Sequence, residues 1–572
     1  MRAKFVLRVR ILSFFAILAA LLLIVRLYFL QIVHSEDYRA TALGQYVENT
    51  GAETKRGKIL FTAKDGENPV AATMQATWRI AINPKLLEDA DAAFAALDTI
   101  AEIDRERYDA SAAKKSDPYE EVAFRLTDDE ALAVRNLELL GITTVREEWR
   151  FYPGASLAAH ALGFVAYQGD VKRGVYGLER YWEDTLRHDN GGLYVNPFAE
   201  IFSNVETLIS SDPGSIEGNI ITSLEPSVQG QLEKTLEEIS ATHSPKAAGG
   251  IIMDPQTGEV LAIAMRPGFD PNTYNVVENP KVFQNPLVES VYEMGSIMKP
   301  LTMAAAIDVD AVSPRTTYND RGCVTKSGAK FCNFDLKGRG VVDMQEVLSQ
   351  SLNTGVSFAV DKMGNEKFAE YVKKFALGEE TGIDLPNEAA GNIDALFVKG
   401  AADIDFASAS FGQSIAVSPI EMIRALSTLA NKGKLPEPHL VKAVRYENGV
   451  TRSLAQADEV QVIKPETAET VTNMLIKVYD DALLEGTLKQ EHYSIAAKTG
   501  TAQIAIPGGG GYYTDRYLHS FFGYFPAHDP KFIVFLYALE PHGEMYASRT
   551  LARPFDGIAK FLINYYNVPP DR

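Results

Sequence analysis

Cysteine and histidine are scarce in this chain of 572 residues, which contains two cysteines, Cys323 and Cys332, and nine histidines. No pair among them has the C-x-x-C or H-x-x-x-H spacing that is typical of metal sites. The sequence therefore predicts that the protein has no metal centre.

Basic residues are also outnumbered, because 56 lysines and arginines face 75 aspartates and glutamates, which gives a net charge of −19. A nucleic-acid partner would require a compensating basic region, and the sequence shows none, so that class of function is excluded. With 46% hydrophobic and 10% aromatic residues the chain is expected to fold. Its length predicts two or more domains.

A long apolar run, interrupted by Arg26, occupies residues 11–33 and follows four basic side chains within residues 1–10. Its length is about the 20 residues that cross a bilayer. This pattern predicts a cytoplasmic tail at 1–10, a transmembrane anchor at 11–33 and an extracytoplasmic, periplasmic position for the rest. The alternative is a cleaved signal peptide. The run is longer than the usual apolar region of a signal peptide, and no convincing A-x-A site ends it.

The rest of the chain divides into two segments with different sequence patterns. Residues 34–215 form a mixed region with helical stretches at 84–103 and 128–140, and turn signals at 189–192 and 212–214 mark its end. Residues 216–572 contain a helical pattern after Pro226, a hairpin signature at 249–264, three strand-like runs between 496 and 539 and a closing helix. These patterns predict an α+β fold with a five-stranded antiparallel sheet flanked by helices, and a mostly helical stretch at 297–480.

Ser296 and Lys299 form an S-x-x-K motif at the start of an apolar run that is long enough for a buried helix. Residues i and i+3 are neighbours on a helix, so the Lys299 ammonium is expected near the Ser296 hydroxyl. Pro300 has no N–H to donate to the Ser296 carbonyl, so it destabilises the helix least if Ser296 lies in the first turn. Free backbone N–H groups there favour an oxyanion. The pattern is typical of a serine nucleophile activated by lysine.

The S-x-x-K motif alone is weak, because it also occurs at Ser111–Lys114 and Ser327–Lys330, in polar surroundings expected to be solvated. Its order with two other motifs is more specific. Ser351 and Asn353 form an S-x-N triplet, and a K-T-G triplet that opens a strand follows at residues 498–500. We interpret the ordered set as one catalytic constellation.

With these three motifs the chain resembles the penicilloyl-serine transferases, and over nearly its whole length it is similar to the class B penicillin-binding proteins. The resemblance extends to further motifs at Arg56–Ile59, Arg150–Gly154, Gly174–Glu179, Asp254–Gly258, Phe269–Asn272, Thr381–Pro386 and Phe411–Gln413. The S-L-N form of the second motif is most like the division-type (septal) branch. The resemblance implies an anchor, a pedestal or dimerisation-type domain at 34–215 that includes Arg150 and Glu179, and a β-lactamase-like transpeptidase domain at 216–572.

The resemblance also implies the chemistry. Ser296 would attack the bond between two D-alanines of a peptidoglycan stem peptide, with Lys299 as base and Ser351 and Lys498 as a proton relay. Asn353 would hold the substrate amide. The backbone N–H groups of Ser296 and Thr501 would form the oxyanion hole, and Thr499 and Thr501 would bind the terminal carboxylate. Gly500, between the two threonines, would belong to the same substrate-binding strand. β-Lactams would acylate the same serine, and no cofactor is needed.

Cys323 and Cys332 would lie outside the cytoplasm, where two thiols that close a short loop favour a disulfide. Such a bridge would be a structural staple, contributing roughly 2–3 kcal/mol. The alternative is a pair of free thiols in a reducing niche.

Other functions remain open at this point. A D,D-carboxypeptidase or β-lactamase uses the same fold, although an anchor and a pedestal are hard to explain in a secreted lactamase. A catalytically silent division scaffold or β-lactam sensor is disfavoured by the intact motifs. The resemblance implies partners in the plasma membrane: a separate glycan polymerase of the shape–elongation–division–sporulation type and other division proteins.

Overall fold

The computed structural model describes residues 56–169, 171–187, 217–446, 449–454 and 460–572. The tail expected at 1–10, the anchor expected at 11–33 and the turns expected at 189–192 and 212–214 lie outside these ranges. Within the described ranges, no helix has both the length and the apolar character that crossing a membrane requires.

The strands are, in chain order, β1 (Ile59–Leu60), β2 (Val70–Ile82), β3 (Glu120–Leu126), β4 (Ile142–Phe151), β5 (Val165–Gln168), β6 (Val171–Gly174), β7 (Gly218–Thr222), β8 (Ala247–Met253), β9 (Val260–Arg266), β10 (Thr317–Asp320), β11 (Cys323–Lys326), β12 (Ala329–Cys332), β13 (Gly340–Asp343), β14 (Lys434–Leu435), β15 (Val441–Tyr446), β16 (Thr451–Ser453), β17 (Val460–Gln461), β18 (Ala496–Ala505), β19 (Tyr512–Phe525) and β20 (Phe532–Leu539). The α-helices are α1 (Ala90–Asp98), α2 (Arg105–Ala112), α3 (Asp128–Asn136), α4 (Ala159–Leu162), α5 (Gly177–Tyr181), α6 (Glu183–Leu186), α7 (Pro226–His243), α8 (Pro286–Glu289), α9 (Lys299–Asp308), α10 (Met344–Ser349), α11 (Asn353–Met363), α12 (Asn365–Lys374), α13 (Asp403–Ala409), α14 (Pro419–Ala430), α15 (Pro465–Lys477) and α16 (Ala547–Tyr566).

The described residues divide into two compact units. The first is Ala76–Trp149, and the second comprises Arg56–Gln75 and the described residues from Arg150 to Arg572. The second unit therefore includes 56–75 and 150–187, which the sequence analysis assigns to the pedestal.

In the first unit, β3 and β4 pair with β2, and α1, α2 and α3 contribute to a core with the apolar side chains of the strands. The helices expected at 84–103 and 128–140 exist but are shorter. The Asp89 carboxylate accepts from the N–H of Ala92 and starts α1 at Ala90. Thr127 and Glu130 form a capping box that starts α3.

The second unit contains the expected five-stranded antiparallel sheet, in the order β18–β19–β20–β8–β9. Side chains alternate between its two faces. One face packs against α7 and α16, through residues such as Leu232 and Phe555. The other packs against the segment that holds Ser296, through Ile297 and Leu301, and against α14 and α15. The sheet thus separates a simple two-helix layer from the layer that carries the functional motifs.

The stretch 297–480 contains the helices α9 to α15, but helix covers fewer than half of its described residues, so the expectation that it is mostly helical is wrong. It also contains three two-stranded sheets, β10–β13, β11–β12 and β14–β17. A further sheet in the second unit has the order β16–β15–β7–β1, and β1 also pairs with Val70 and Ala72 of the same unit. The sequence analysis did not predict these sheets, because strands of two to six residues are too short to show a period.

Candidate active site

Ser296 lies in a 3₁₀ turn, Gly295–Met298, that leads directly into α9. The N–H of Lys299 donates to the Ser296 carbonyl, which Pro300 cannot reach as a donor. The nucleophile candidate therefore precedes the α-helix by one tight turn. Its half-buried hydroxyl has no hydrogen-bond partner among the residues that the structure describes.

Gly500, on β18, lies against the segment that holds Ser296. A Cβ atom on Gly500 would lie 2.3 Å from the Ser520 Oγ atom and 2.7 Å from the Met294 carbonyl oxygen. The Ser520 hydroxyl in turn donates to that carbonyl at 3.0 Å. The missing side chain is therefore what lets the K-T-G strand approach the serine turn.

Replacing Gly500 with alanine is expected to push β18 away from the Ser296 turn. Overpacking of this kind costs about 1–3 kcal/mol of unfolding free energy, and the displacement is expected to slow acylation by about 100-fold. The measurements are thermal unfolding and the rate of penicillin labelling.

The matched control is Gly557→Ala in the interior of α16, where an added Cβ has open space. It is expected to raise the unfolding free energy by about 0.5–1 kcal/mol and to leave labelling unchanged. If both glycine variants labelled at the wild-type rate, the role assigned to Gly500 would be wrong.

Two lysines converge on the hydroxyl of Ser351. The Lys299 Nζ atom donates to the Ser351 carbonyl oxygen at 2.5 Å and to the Ser351 Oγ atom at 3.1 Å. The Lys498 Nζ atom donates to the same Oγ atom at 3.1 Å and to the Thr499 carbonyl oxygen at 3.1 Å. The structure thus brings three of the predicted site residues into one cluster. The hydrogen bonds of Lys299 go to Ser351 and not to Ser296.

Both lysine side chains are buried, with Lys299 0% and Lys498 2% exposed. Burial, and then the positive charge of Lys498, hold the pKa of Lys299 well below its ordinary value. Burial lowers the pKa of Lys498 to about 7. Like charges on one hydroxyl disfavour each other, so the nearby Lys498 favours the neutral form of Lys299.

Ser351 itself has a left-handed backbone, with φ 55°. Non-glycine residues adopt this region at a cost and are found in it at functional sites. It lies between α10 and α11, so the turn between these helices sets the position of its hydroxyl.

Asn353 is tied to the cysteine hairpin. Cys323 and Cys332 face each other across β11 and β12 and form a disulfide. The Asn353 Nδ2 atom donates to the Cys332 carbonyl oxygen at 2.9 Å. The next side chain, Asn333, accepts from the N–H and from the hydroxyl of Thr354. The disulfide hairpin therefore supports the start of α11, where the S-x-N triplet ends.

The side chains of Thr499 and Thr501 are half-buried on β18. The Thr501 Oγ1 atom accepts from the N–H of Ala547, the first residue of α16, at 3.1 Å. These two threonines lie on the same strand as Lys498. Because successive side chains of a strand point to opposite faces, Thr499 and Thr501 share one face of β18.

Arg150 and Glu179 form a separate buried cluster. Both Glu179 carboxylate oxygens are bound, Oε2 by the Arg56 Nε atom and Oε1 by the Arg150 Nε atom, each at 2.6 Å. Arg56 also pairs with Glu183 at 2.8 Å. Burial alone raises the pKa of Glu179, but the charges of Arg150 and Arg56 overcome it and keep that pKa low. The sequence analysis quoted Arg56 only as part of a motif and did not assign it to this cluster.

Glu293 is a further residue near the site that the sequence analysis did not single out. Its Oε1 atom accepts from the N–H of Ser414 at 2.9 Å and from the Tyr512 hydroxyl at 3.1 Å. Burial raises its pKa. The sequence feature that could have identified Glu293 as a site residue is its position three residues before Ser296.

The two other S-x-x-K matches are not catalytic clusters. The hydroxyl of Ser111 donates to Glu120, which also binds Lys114. Ser111 is buried, contrary to the solvated surroundings expected for it, because the helix α2 packs on β3. Ser327 and Lys330 lie at the tip and on a strand of the disulfide hairpin. In the described part of the chain, no group of histidine, cysteine, aspartate and glutamate side chains could hold a metal ion.

Two protein-family models match this chain. The model of the penicillin binding protein transpeptidase domain matches residues 248–560, and that of the penicillin-binding protein dimerisation domain matches residues 52–212. The first match alone covers more than half of the chain. The chain belongs to the penicillin-binding protein transpeptidase family.

Relatives agree with this assignment. The chain is 28% identical over 554 residues to stage V sporulation protein D of Bacillus subtilis, covering 95% of this chain and 83% of that protein. It is 26% identical over 461 residues to peptidoglycan D,D-transpeptidase FtsI of Escherichia coli K12, covering 79% of this chain and 73% of that protein. The prediction that this chain is a class B penicillin-binding protein of the division type is confirmed.

A crystal structure shares the fold. Penicillin binding protein 3 of Mycobacterium tuberculosis, complexed with aztreonam, superposes with a TM-score of 0.69 at 23% identity, over 91% of this chain and 98% of that one.

Proposed function

We propose that this penicillin-binding protein is a peptidoglycan D,D-transpeptidase that cross-links stem peptides through an acyl-enzyme on Ser296. One observation carries the proposal: two buried lysines of lowered pKa donate to a single hydroxyl, that of Ser351, and one of them, Lys299, follows the 3₁₀ turn that holds Ser296. Groups with perturbed pKa values gathered in this way are typical of sites that transfer protons.

In the acylation step, Lys299 acts as the base. A neutral amine has two N–H donors and one lone pair, and the two bonds to Ser351 use both donors. The lone pair is therefore left to accept the Ser296 proton as the serine oxygen attacks the carbonyl carbon between two D-alanines. The N–H groups of Ser296 and Thr501 stabilise the oxyanion.

Ser351 and Lys498 complete the proton path. The Ser351 oxygen accepts from both lysines, which fills its two lone pairs, so its own proton is free to be donated. It passes to the nitrogen of the departing D-alanine as the amide bond breaks, and the proton on Lys299 replaces it. An amine of a neighbouring stem peptide then attacks the ester, and the relay runs in reverse. Asn353 holds the substrate amide, and Thr499 and Thr501 bind the terminal carboxylate.

The proposal includes a place and partners. Residues 11–33 would anchor the chain in the plasma membrane with the N-terminus inside and the catalytic domain outside. A membrane glycan polymerase of the shape–elongation–division–sporulation type would supply glycan strands for cross-linking at division, together with other division proteins.

The test uses the full chain in membranes and a fluorescent penicillin. Wild-type protein is expected to retain the label, and Ser296→Ala is expected to lose it completely, because the only oxygen that forms the ester is gone. Rapid release of the label would indicate a β-lactamase, and labelling of Ser296→Ala would contradict the proposal.

The rate of acylation is expected to rise with pH along a limb whose midpoint lies well below 10.5, the ordinary value for lysine, because burial and Lys498 depress the pKa of Lys299. Only the neutral amine accepts the proton, so activity is present above that depressed pKa and lost as the pH falls through it. A pH profile of penicillin labelling measures this. A limb centred near 10.5 would be inconsistent with Lys299 as the base.

A further inference from the structure

His519 is a buried histidine that the mechanism above does not use. It lies on β19 directly opposite Thr501 of β18, with an exposed fraction of 0%. Its Nε2 atom is 3.1 Å from the Met545 carbonyl oxygen, and its Nδ1 atom is 2.9 Å from the Thr550 Oγ1 atom. Both partners belong to the segment around the start of α16.

The partners fix the state of the imidazole ring. A carbonyl oxygen only accepts, so Nε2 carries the proton. Burial lowers the pKa of His519 to about 4, so the ring is neutral near pH 7 and Nδ1 is an acceptor for the Thr550 hydroxyl, which also lies 3.2 Å from the Ala547 carbonyl oxygen as a donor. One ring thus holds the start of α16 at two points, one on each side of Ala547.

Ala547 connects this clamp to the predicted carboxylate site. Its N–H donates to the Thr501 Oγ1 atom at 3.1 Å. A threonine hydroxyl has one proton to donate and two lone pairs. Since Thr501 accepts from Ala547 and its hydroxyl proton has no acceptor among the described residues, that proton is available to an oxygen of a ligand.

We propose that His519 is a positioning residue for substrate recognition: by holding the Met545–Thr550 segment, it keeps the Ala547 N–H on Thr501 and so presents the Thr501 hydroxyl as a donor to the terminal carboxylate of the donor peptide. The proposal rests on the proposed function, since it needs a D-alanyl donor with a free carboxylate. It assigns to His519 a role in selectivity and none in bond making.

A purely structural role would have a different signature. If His519 only packed between β19 and α16, its loss would lower activity toward every acyl donor to the same extent. A role through Thr501 affects only donors whose leaving group carries a carboxylate. The two roles are therefore separable by choice of substrate.

The experiment compares two thioester donors that share a D-alanyl acyl group, one with a leaving thiol that ends in a carboxylate and one that ends in a carboxamide. The change is His519→Leu in the full-length protein. A hydrogen bond to a charged group is typically worth enough to change a rate about tenfold. We expect kcat/KM to fall about tenfold for the carboxylate donor and less than about twofold for the carboxamide donor. His519→Gln, which keeps a donor and an acceptor, is expected to restore most of the loss.

A double-mutant cycle makes the coupling explicit. In a Thr501→Val background, His519→Leu is expected to cause no further loss with the carboxylate donor, because the hydroxyl that it positions is absent. His528→Leu, an exposed histidine beyond the end of the same strand, is the control and is expected to behave as wild type.

Equal losses with both donors, or losses that multiply in the double variant, would overturn the proposal. If His519→Leu fails to fold, Thr550→Val removes the Nδ1 partner and carries the same comparison. Failure of the wild-type chain to form any acyl-enzyme with penicillin would instead count against the proposed function, so the two failures are distinguishable.

Discussion

Lys299→Met is expected to lower the rate of Ser296 acylation by about 10³-fold. The change removes the proposed base and keeps an unbranched apolar side chain of similar length at a position that is 0% exposed. It also removes the donors to the Ser351 carbonyl and hydroxyl oxygens. The measurement is the second-order rate constant for labelling by fluorescent penicillin, with near-ultraviolet circular dichroism to confirm the fold.

The control for this variant is Lys399→Met, an exposed lysine, which is expected to label as wild type. Raising the pH is not expected to rescue Lys299→Met, since no amine remains to titrate. A loss of less than about tenfold in a folded variant would show that another group takes the Ser296 proton.

Glu179→Gln is expected to lower the free energy of unfolding by about 3–5 kcal/mol. The carboxylate is 0% exposed and neutralises two buried guanidinium groups. In the variant Arg56 keeps Glu183, but Arg150 loses its charged partner, while its bond to the Gly57 carbonyl oxygen remains. An uncompensated buried charge is the main cost. Urea unfolding monitored by circular dichroism measures it.

Acid should act in the same direction on the wild-type protein. Since the pKa of Glu179 is lowered in the folded state, its contribution to stability is full above the unfolded pKa and is lost as the pH falls through the folded pKa. The control for Glu179→Gln is Glu370→Gln, which removes an exposed carboxylate that pairs with Lys367 and Lys374. It is expected to leave the midpoint of urea unfolding unchanged. An equal midpoint for both variants would refute the argument for the buried cluster.

The sequence predicted the parts of this protein that depend on period and motif order. The β8–β9 hairpin, the strands β18, β19 and β20, and the helix that begins at Pro226 all occur where the patterns place them. The three motifs also meet, because Ser351 binds both Lys299 and Lys498.

The remaining features depend on contacts between distant residues, which no local pattern contains. The hydrogen bonds of the Lys299 side chain go to Ser351, a residue distant in the sequence, and not to the neighbouring Ser296. The carbonyl of Cys332 holds Asn353 through a main-chain atom, which residue identity does not reveal. His519 acquires its role only when β19 and α16 pack together.

The order of the five-stranded sheet has a consequence for biogenesis. β8, near the start of the catalytic segment, pairs with β20, near its end, with Ile252 opposite Val534. Contacts between residues so far apart in the sequence form late in folding, because bringing them together costs the conformational entropy of the long chain between them. A nascent chain that stops before Phe532 has every motif but cannot close the sheet. We therefore expect the reactive serine to arise only after synthesis of the last strand, which prevents premature reaction with wall precursors or antibiotics.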